Sequence, residues 1–169
     1  MIHPVVKYGN EVLDKKAATV TAFDRELAKL VEDMFESMYA AQGVGLAAPQ
    51  IGISKRIAVI DITFGKDPAA KLVLVNPEII ATEGKQSEEE GCLSVPGFRE
   101  KVKRPTRVTV RAQDAKGKEF TMTGEELLAR AFCHETDHLN GRLFLSHLSV
   151  LKRDLIARRI RKKIKAAEW

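Results

Sequence analysis

The chain has 169 residues, 44% of them apolar and 30% charged, which suits one globular unit with its own core and excludes a repeat array. Its net charge is +5, yet residues 152–169 hold eight Lys or Arg against two acids, and the preceding 151 residues come to −1. A body so close to neutral argues against a nucleic-acid-binding domain that is basic throughout, and two cysteines, Cys92 and Cys133, are too few for a disulfide framework.

Met1-Ile2-His3-Pro4 lacks the basic-then-apolar order of a signal peptide. Residues 24–42 place Leu27, Leu30, Val31, Met34, Phe35 and Met38 at the spacing of an amphipathic helix, with Asp24 as N-cap and Gly43 as stop. The longest uncharged stretch, Ser37 to Ser54, is interrupted by Gln42, Pro49, Gln50 and three glycines, which lipid does not tolerate cheaply. A soluble, cytoplasmic protein without a membrane span is expected. Arg56 to Ile62 and Leu72 to Asn76 read as strands, and Arg107 to Gln113 with Glu119 to Met122 as a hairpin around Asp114-Ala115-Lys116-Gly117. Thr123-Gly124-Glu125-Glu126 fits a capping box, so a helix is predicted from about residue 124 to the stop at Asn140-Gly141. A last helix, capped by Ser149, runs into the basic tail. The order of elements predicts an α+β fold with antiparallel strands around a central helix. Residues 1–148 are expected to form its body, and residues 149–169 a basic C-terminal helix of the same single domain.

The central helix carries His134-Glu135-Thr136-Asp137-His138. A spacing of four puts both imidazoles on one face, where two neutral ring nitrogens can bind one metal ion. Glu135 lies about 100° round the helix from His134, so it can flank a bound water without ligating. A third ligand decides the class of site. Phe144 stands where a third histidine would follow in one group of zinc peptidases, His147 is past the helix stop, and the one downstream glutamate is Glu168. Cys92, in Glu90-Gly91-Cys92-Leu93-Ser94, is the better choice, because its glycine lets the backbone approach a partner closely. Cys133 points away round the helix and reads as packing. In Gly43-Val44-Gly45-Leu46-Ala47-Ala48-Pro49-Gln50, exposed backbone could pair with an extended peptide, and Gln50 offers an amide donor for an oxyanion.

Gly43 to Gln50, Glu90 to Ser94 and His134 to His138 together resemble the three motifs of the peptide deformylase family, in order and without a departure. The resemblance implies Cys92, His134 and His138 as ligands of a divalent ion, Fe(II) in most of the family, with Ni or Zn as substitutes. It implies a metal-bound water that attacks the formyl carbon of N-formylmethionyl nascent peptides and releases formate. Glu135 would be the general acid/base, with Gln50 and the Leu93 backbone N–H as oxyanion donors. Gly43, Val44, Gly45, Leu127, Ala131 and Arg99 are then expected to bind substrate, with Arg130 over the rim and Glu90 paired to Arg99 or Arg104. A monomer is expected, whose basic last helix, striped by Ile156, Ile160 and Ile164, contacts the ribosome. Two other readings stay open: a metallopeptidase using the same helix with a different third ligand, and an RNA-binding module with a structural metal. The second would normally close its site with four protein ligands, and three are visible.

Overall fold

A computed structural model describes residues 1–169. Helix α1 spans Arg25–Ala40, and its first turn is capped by Asp24, whose carboxylate accepts from the Leu27 N–H at 3.0 Å. Leu27, Val31, Met34, Phe35 and Met38 are buried at alternating spacings of three and four, against Leu46, Ile57, Val59 and Val75. The left-handed residue that ends the helix is Gln42, at φ 59°, not Gly43. A Cβ at Gly43 would stand 2.8 Å from Leu93 Cδ1, so a larger residue there would displace that side chain.

Five strands form an antiparallel sheet in the order β1 (Gly45–Ala47), β2 (Ile57–Ile60), β3 (Leu72–Glu83), β6 (Arg107–Gln113), β7 (Glu119–Glu125). Strand β2 is shorter than the apolar run predicts, because the Asp61 carboxylate accepts from Thr63 N–H and Gly65 N–H and turns the chain. Strand β3 is longer, continuing through Asn76 (φ 51°) and Pro77. The ladder shifts register there, and the Asn76 amide bonds to the Val20 carbonyl and to Gln113. A bulge thus absorbs a proline that would stop a regular strand.

The expected capping box does not form. Thr123, Gly124 and Glu125 pair with Thr109, Val108 and Arg107 in β7, and the Thr123 hydroxyl bonds to that of Thr109 at 2.8 Å. Cross-strand pairing outcompetes the local cap, so α2 starts at Leu127, after Glu126 at φ 52°, and ends at Leu139 as the Asn140-Gly141 stop predicts. Its Ala129, Phe132 and Leu139 are fully buried against Ala58, Ile60, Leu74, Val108 and Val110 of the sheet. Burial of a ring such as Phe132 contributes about 2–3 kcal/mol.

The second sheet is a hairpin of β4 (Gln86–Cys92) and β5 (Val95–Arg104), which carries no sequence expectation because its polar residues show no clean alternation. Helix α2 contacts all the strands of the large sheet and also β5, so it runs between the two sheets. The hairpin's Val95, Phe98 and Val102 join Phe144, Leu145 and Leu148 in a third cluster, onto which α3 (Val150–Lys165) packs Ile156 and Ile160. Ser149 caps α3. Ile164, expected to extend that stripe, is exposed, because the apolar contact ends one turn earlier. Trp169 donates from Nε1 to the Tyr8 carbonyl and lies tilted on Phe98. No helix is long and apolar enough to cross a membrane.

Candidate metal centre

Three side chains converge where α2 passes the end of the hairpin. His134 and His138 lie one turn apart on α2 with their rings edge to face, and Cys92 is the last residue of β4. His138 Nε2 lies 3.1 Å from His134 Nε2 and 3.3 Å from Cys92 Sγ, and all three ligand atoms fall within 4.8 Å of one another. Two nitrogens and a sulfur bound tetrahedrally to one first-row ion would stand about 3.3–3.6 Å apart. The donor set therefore fits an ion, and a soft thiolate with two imidazoles suits Fe, Ni or Zn. Burial pushes the His138 imidazole well below its usual range, which keeps it neutral and able to ligate.

A charged framework holds these ligands from behind. Glu90, two residues before Cys92, accepts from His134 Nδ1, which leaves the Nε2 lone pair facing the cluster. Arg104 of β5 donates to both Glu90 oxygens, at 3.1 and 2.7 Å, and to Asp137 at 2.8 Å. Burial opposes ionisation of Glu90, but the bonds to His134 and Arg104 outweigh it and hold its pKa at about 2. Of the two partners expected for Glu90, the structure selects Arg104. Arg99 lies at the rim, 3.8 Å from Glu89. His147, set aside as a ligand, has Nε2 2.8 Å from Asp137 and 3.2 Å from Arg104, so it closes the far end of this framework. Asp137 belongs to the His134–His138 motif and His147 was weighed as a ligand, but no sequence signal pointed to their meeting at Arg104.

Glu135 is 3% exposed, and burial raises its pKa to about 7. Its Oε1 bonds to no group of the protein. A Cβ at position 45 would lie 2.5 Å from Glu135 Oε2, so Gly45 is what lets β1 run against this carboxyl group. Gln50 sits in a short 3-10 helix, Ala48–Ile51. Its Oε1 accepts from the Ala47 N–H, and its Nε2 lies 3.6 Å from Cys92 Sγ and 3.2 Å from Ser94 Oγ. The amide donor is thus turned towards the ligand cluster.

All of this opens into a cavity of about 810 Å³. Glu135, His134, Cys92, Gln50 and Leu93 stand in its wall, as do Gly43, Val44, Gly45, Leu127, Ala131 and Arg99. Arg130 lines it too, while donating to Gln86 at 2.8 Å. Val44, Leu127 and Ala131 supply an apolar flank beside His134. Cys133 is absent from this wall: it is buried among Ala131, Phe132 and Ala129, and burial pushes its thiol up to about 11. Phe64, which carried no sequence expectation, is also part of the wall.

The sequence pattern of the Polypeptide deformylase family matches residues 2–154. The peptide deformylase of Acidobacterium capsulatum is 62% identical over 169 residues, covering 100% of this chain and 99% of that protein. Among solved structures, a peptide deformylase from Legionella pneumophila superposes with a TM-score of 0.92 at 48% identity, over 99% of this chain and 98% of that one. One from Synechococcus elongatus, solved in complex with actinonin, gives 0.88 at 39% identity, over 95% and 87% of the two chains.

Proposed function

The chain belongs to the polypeptide deformylase family, a family of hydrolases, and from that premise we propose that it removes the formyl group from N-formylmethionyl nascent peptides. The observation that carries this reading is the convergence of Cys92, His134 and His138 beside a buried, partnerless carboxyl group in one open cavity. Those three residues would hold one divalent ion between α2 and the end of β4, Fe(II) by preference, with Ni or Zn as substitutes. When bound, the ion supplies Lewis acidity that lowers the pKa of water and polarises the formyl oxygen.

The chain's own groups do the rest. Val44, Leu127 and Ala131 receive the methionine side chain, while the glycine-containing strand β1, an edge of the large sheet, takes the peptide backbone as an added strand. Gly43 and Gly45 keep that edge open, and Arg99 stands at the rim. Water attacks the formyl carbon and gives a proton to Glu135. The developing oxyanion accepts hydrogen bonds from the Gln50 amide and the Leu93 N–H. Glu135 then passes the proton to the peptide nitrogen as the carbon–nitrogen bond breaks, releasing formate and a free amine. A carboxyl group with a pKa near 7 is matched to both transfers.

On this reading the enzyme is a cytoplasmic monomer of one domain. Residues 1–148 form its catalytic body, and 149–169 the basic helix that contacts the ribosome. The test is formate release from a formyl-Met peptide by metal-loaded protein, beside an unformylated peptide of the same sequence. Cleavage of an internal peptide bond instead of formate release would favour a metallopeptidase.

A further inference from the structure

Phe64 has no packing role. Of the seven phenylalanines it alone is exposed, at 57%, and it belongs to none of the three hydrophobic clusters. Its backbone is also in the left-handed region, at φ 55°, which a bulky side chain adopts only when its surroundings impose it. Those surroundings are well defined. The fully buried Asp61 carboxylate accepts from Thr63 N–H at 2.8 Å, Thr63 Oγ1 at 2.7 Å, Gly65 N–H at 2.9 Å and the Tyr39 hydroxyl. Four donors on one carboxylate fix the turn, and the turn holds the ring out at the wall of the cavity.

The position of that turn suggests what the ring meets. Asp61 N–H donates to the Val44 carbonyl at 2.8 Å, continuing the β1–β2 ladder one step past the Gly45–Ile60 pair. The loop therefore leaves the sheet beside Gly43 and Val44. An antiparallel strand added to β1, with its first residue beside Gly45 and Glu135, runs towards Val44, Gly43 and Gln42, all of which share the cavity wall with Phe64. At about 810 Å³ the cavity has room for more than one residue.

We propose that Phe64 is a specificity contact for the residues that follow formylmethionine, packing its ring on an apolar side chain among the second to fourth positions of the substrate. This rests on the deformylase reading. It makes the enzyme selective for the early sequence of its substrate, through a residue that is not among the converging donors.

The test measures formate release from formyl-Met-Ala-Ala-Ala and from three versions carrying Leu at the second, third or fourth position. The readout is the ratio of kcat/KM for each Leu peptide to that for the all-alanine peptide, within each protein. The wild type is expected to favour at least one Leu peptide roughly three- to tenfold, through KM. Phe64→Ala brings that ratio to about one, and Phe64→Tyr restores it. Lys66→Ala, in the same loop but outside the cavity wall, keeps the wild-type ratio. A flat Leu series in the wild type, or a preference that survives in Phe64→Ala, overturns the proposal while formate release still supports the deformylase reading. No formate from any peptide overturns both.

Discussion

Helices α2 and α3 follow each other in the chain and differ in how their polar residues are treated. In α2, Glu135, Thr136 and His138 are buried, and the flanking His134 and Asp137 are wired to Glu90 and Arg104 of the hairpin. In α3, two isoleucines are buried, and apart from the Lys152–Glu100 pair its Lys and Arg side chains make no ion pair within the chain. Polar groups taken out of water cost stability unless they are matched; His134 and Asp137 have their partners on the hairpin, whereas the buried Glu135 carboxyl group has none within the chain. Charges left in water can be exchanged at little cost to stability. The first helix is therefore where substitutions should damage chemistry and folding, and the second where they should alter only association.

The largest effect is expected at the carboxyl group that the fold buries without a partner. Glu135→Ala should lower kcat about 10²–10⁴-fold, with metal content by elemental analysis unchanged, because Glu135 is not among the converging donors. Normal turnover by this variant would remove Glu135 from the mechanism. Next comes the guanidinium that joins the hairpin to α2. Arg104→Met leaves the buried Glu90 with only His134 as a partner and the half-buried Asp137 with only His147, and should cost about 3–5 kcal/mol in denaturant unfolding. Metal affinity should fall about 10–100-fold as Glu90 loses its grip on His134. If affinity held while stability fell, the framework would be structural only.

The same framework predicts an acid limb. The pKa of Glu90 is depressed in the folded protein, to about 2 from an ordinary 4.5. The unfolded chain therefore takes up the proton first as pH falls. The stability that Glu90 contributes is complete above about pH 4.5 and is lost progressively towards pH 2. Glu90→Gln should start from lower stability at neutral pH and show a shallower decline over that window in metal-free protein. Parallel declines would locate the acid sensitivity elsewhere.

What was readable in the sequence follows the same division. The pairing of His134 with His138 is local, set by helical period, and so is the stop at Gly141. Cys92 was reached only because the helix lacked a third ligand and its motif matched a family. Contacts that depend on register were not readable. The hairpin β4–β5 has charged residues at eight of its seventeen strand positions and buries Glu90 and Arg104 among them, so its pattern resembles a loop. Whether Glu90 would meet Arg99 or Arg104 depends on a strand register that places Glu90 opposite Glu100. Thr123 had two plausible partners, a helix N–H or the Thr109 hydroxyl, and sheet formation settled the choice. Gly45 looked like one glycine of a motif; its reason, the Glu135 carboxyl group against its backbone, is visible only once β1 and α2 are packed together.

The smallest effect on folding, and the sharpest test of the contrast, belongs to α3. Arg158, Arg159 and Lys162 are exposed and unpaired, on a helix whose attachment is the apolar contact of Ile156 and Ile160. Replacing all three with glutamine removes three charges without touching that contact, and each change should move stability by no more than about 0.5 kcal/mol. Formate release should be untouched, since none of the three lines the cavity. If the helix docks on ribosomal RNA, association releases counterions from the phosphates, and log K falls with log salt in proportion to the number of phosphates neutralised. The triple variant should then bind ribosomes more weakly at low salt and show a salt slope shallower by about two to three units. An unchanged slope would leave α3 as a solubilising helix held by two isoleucines.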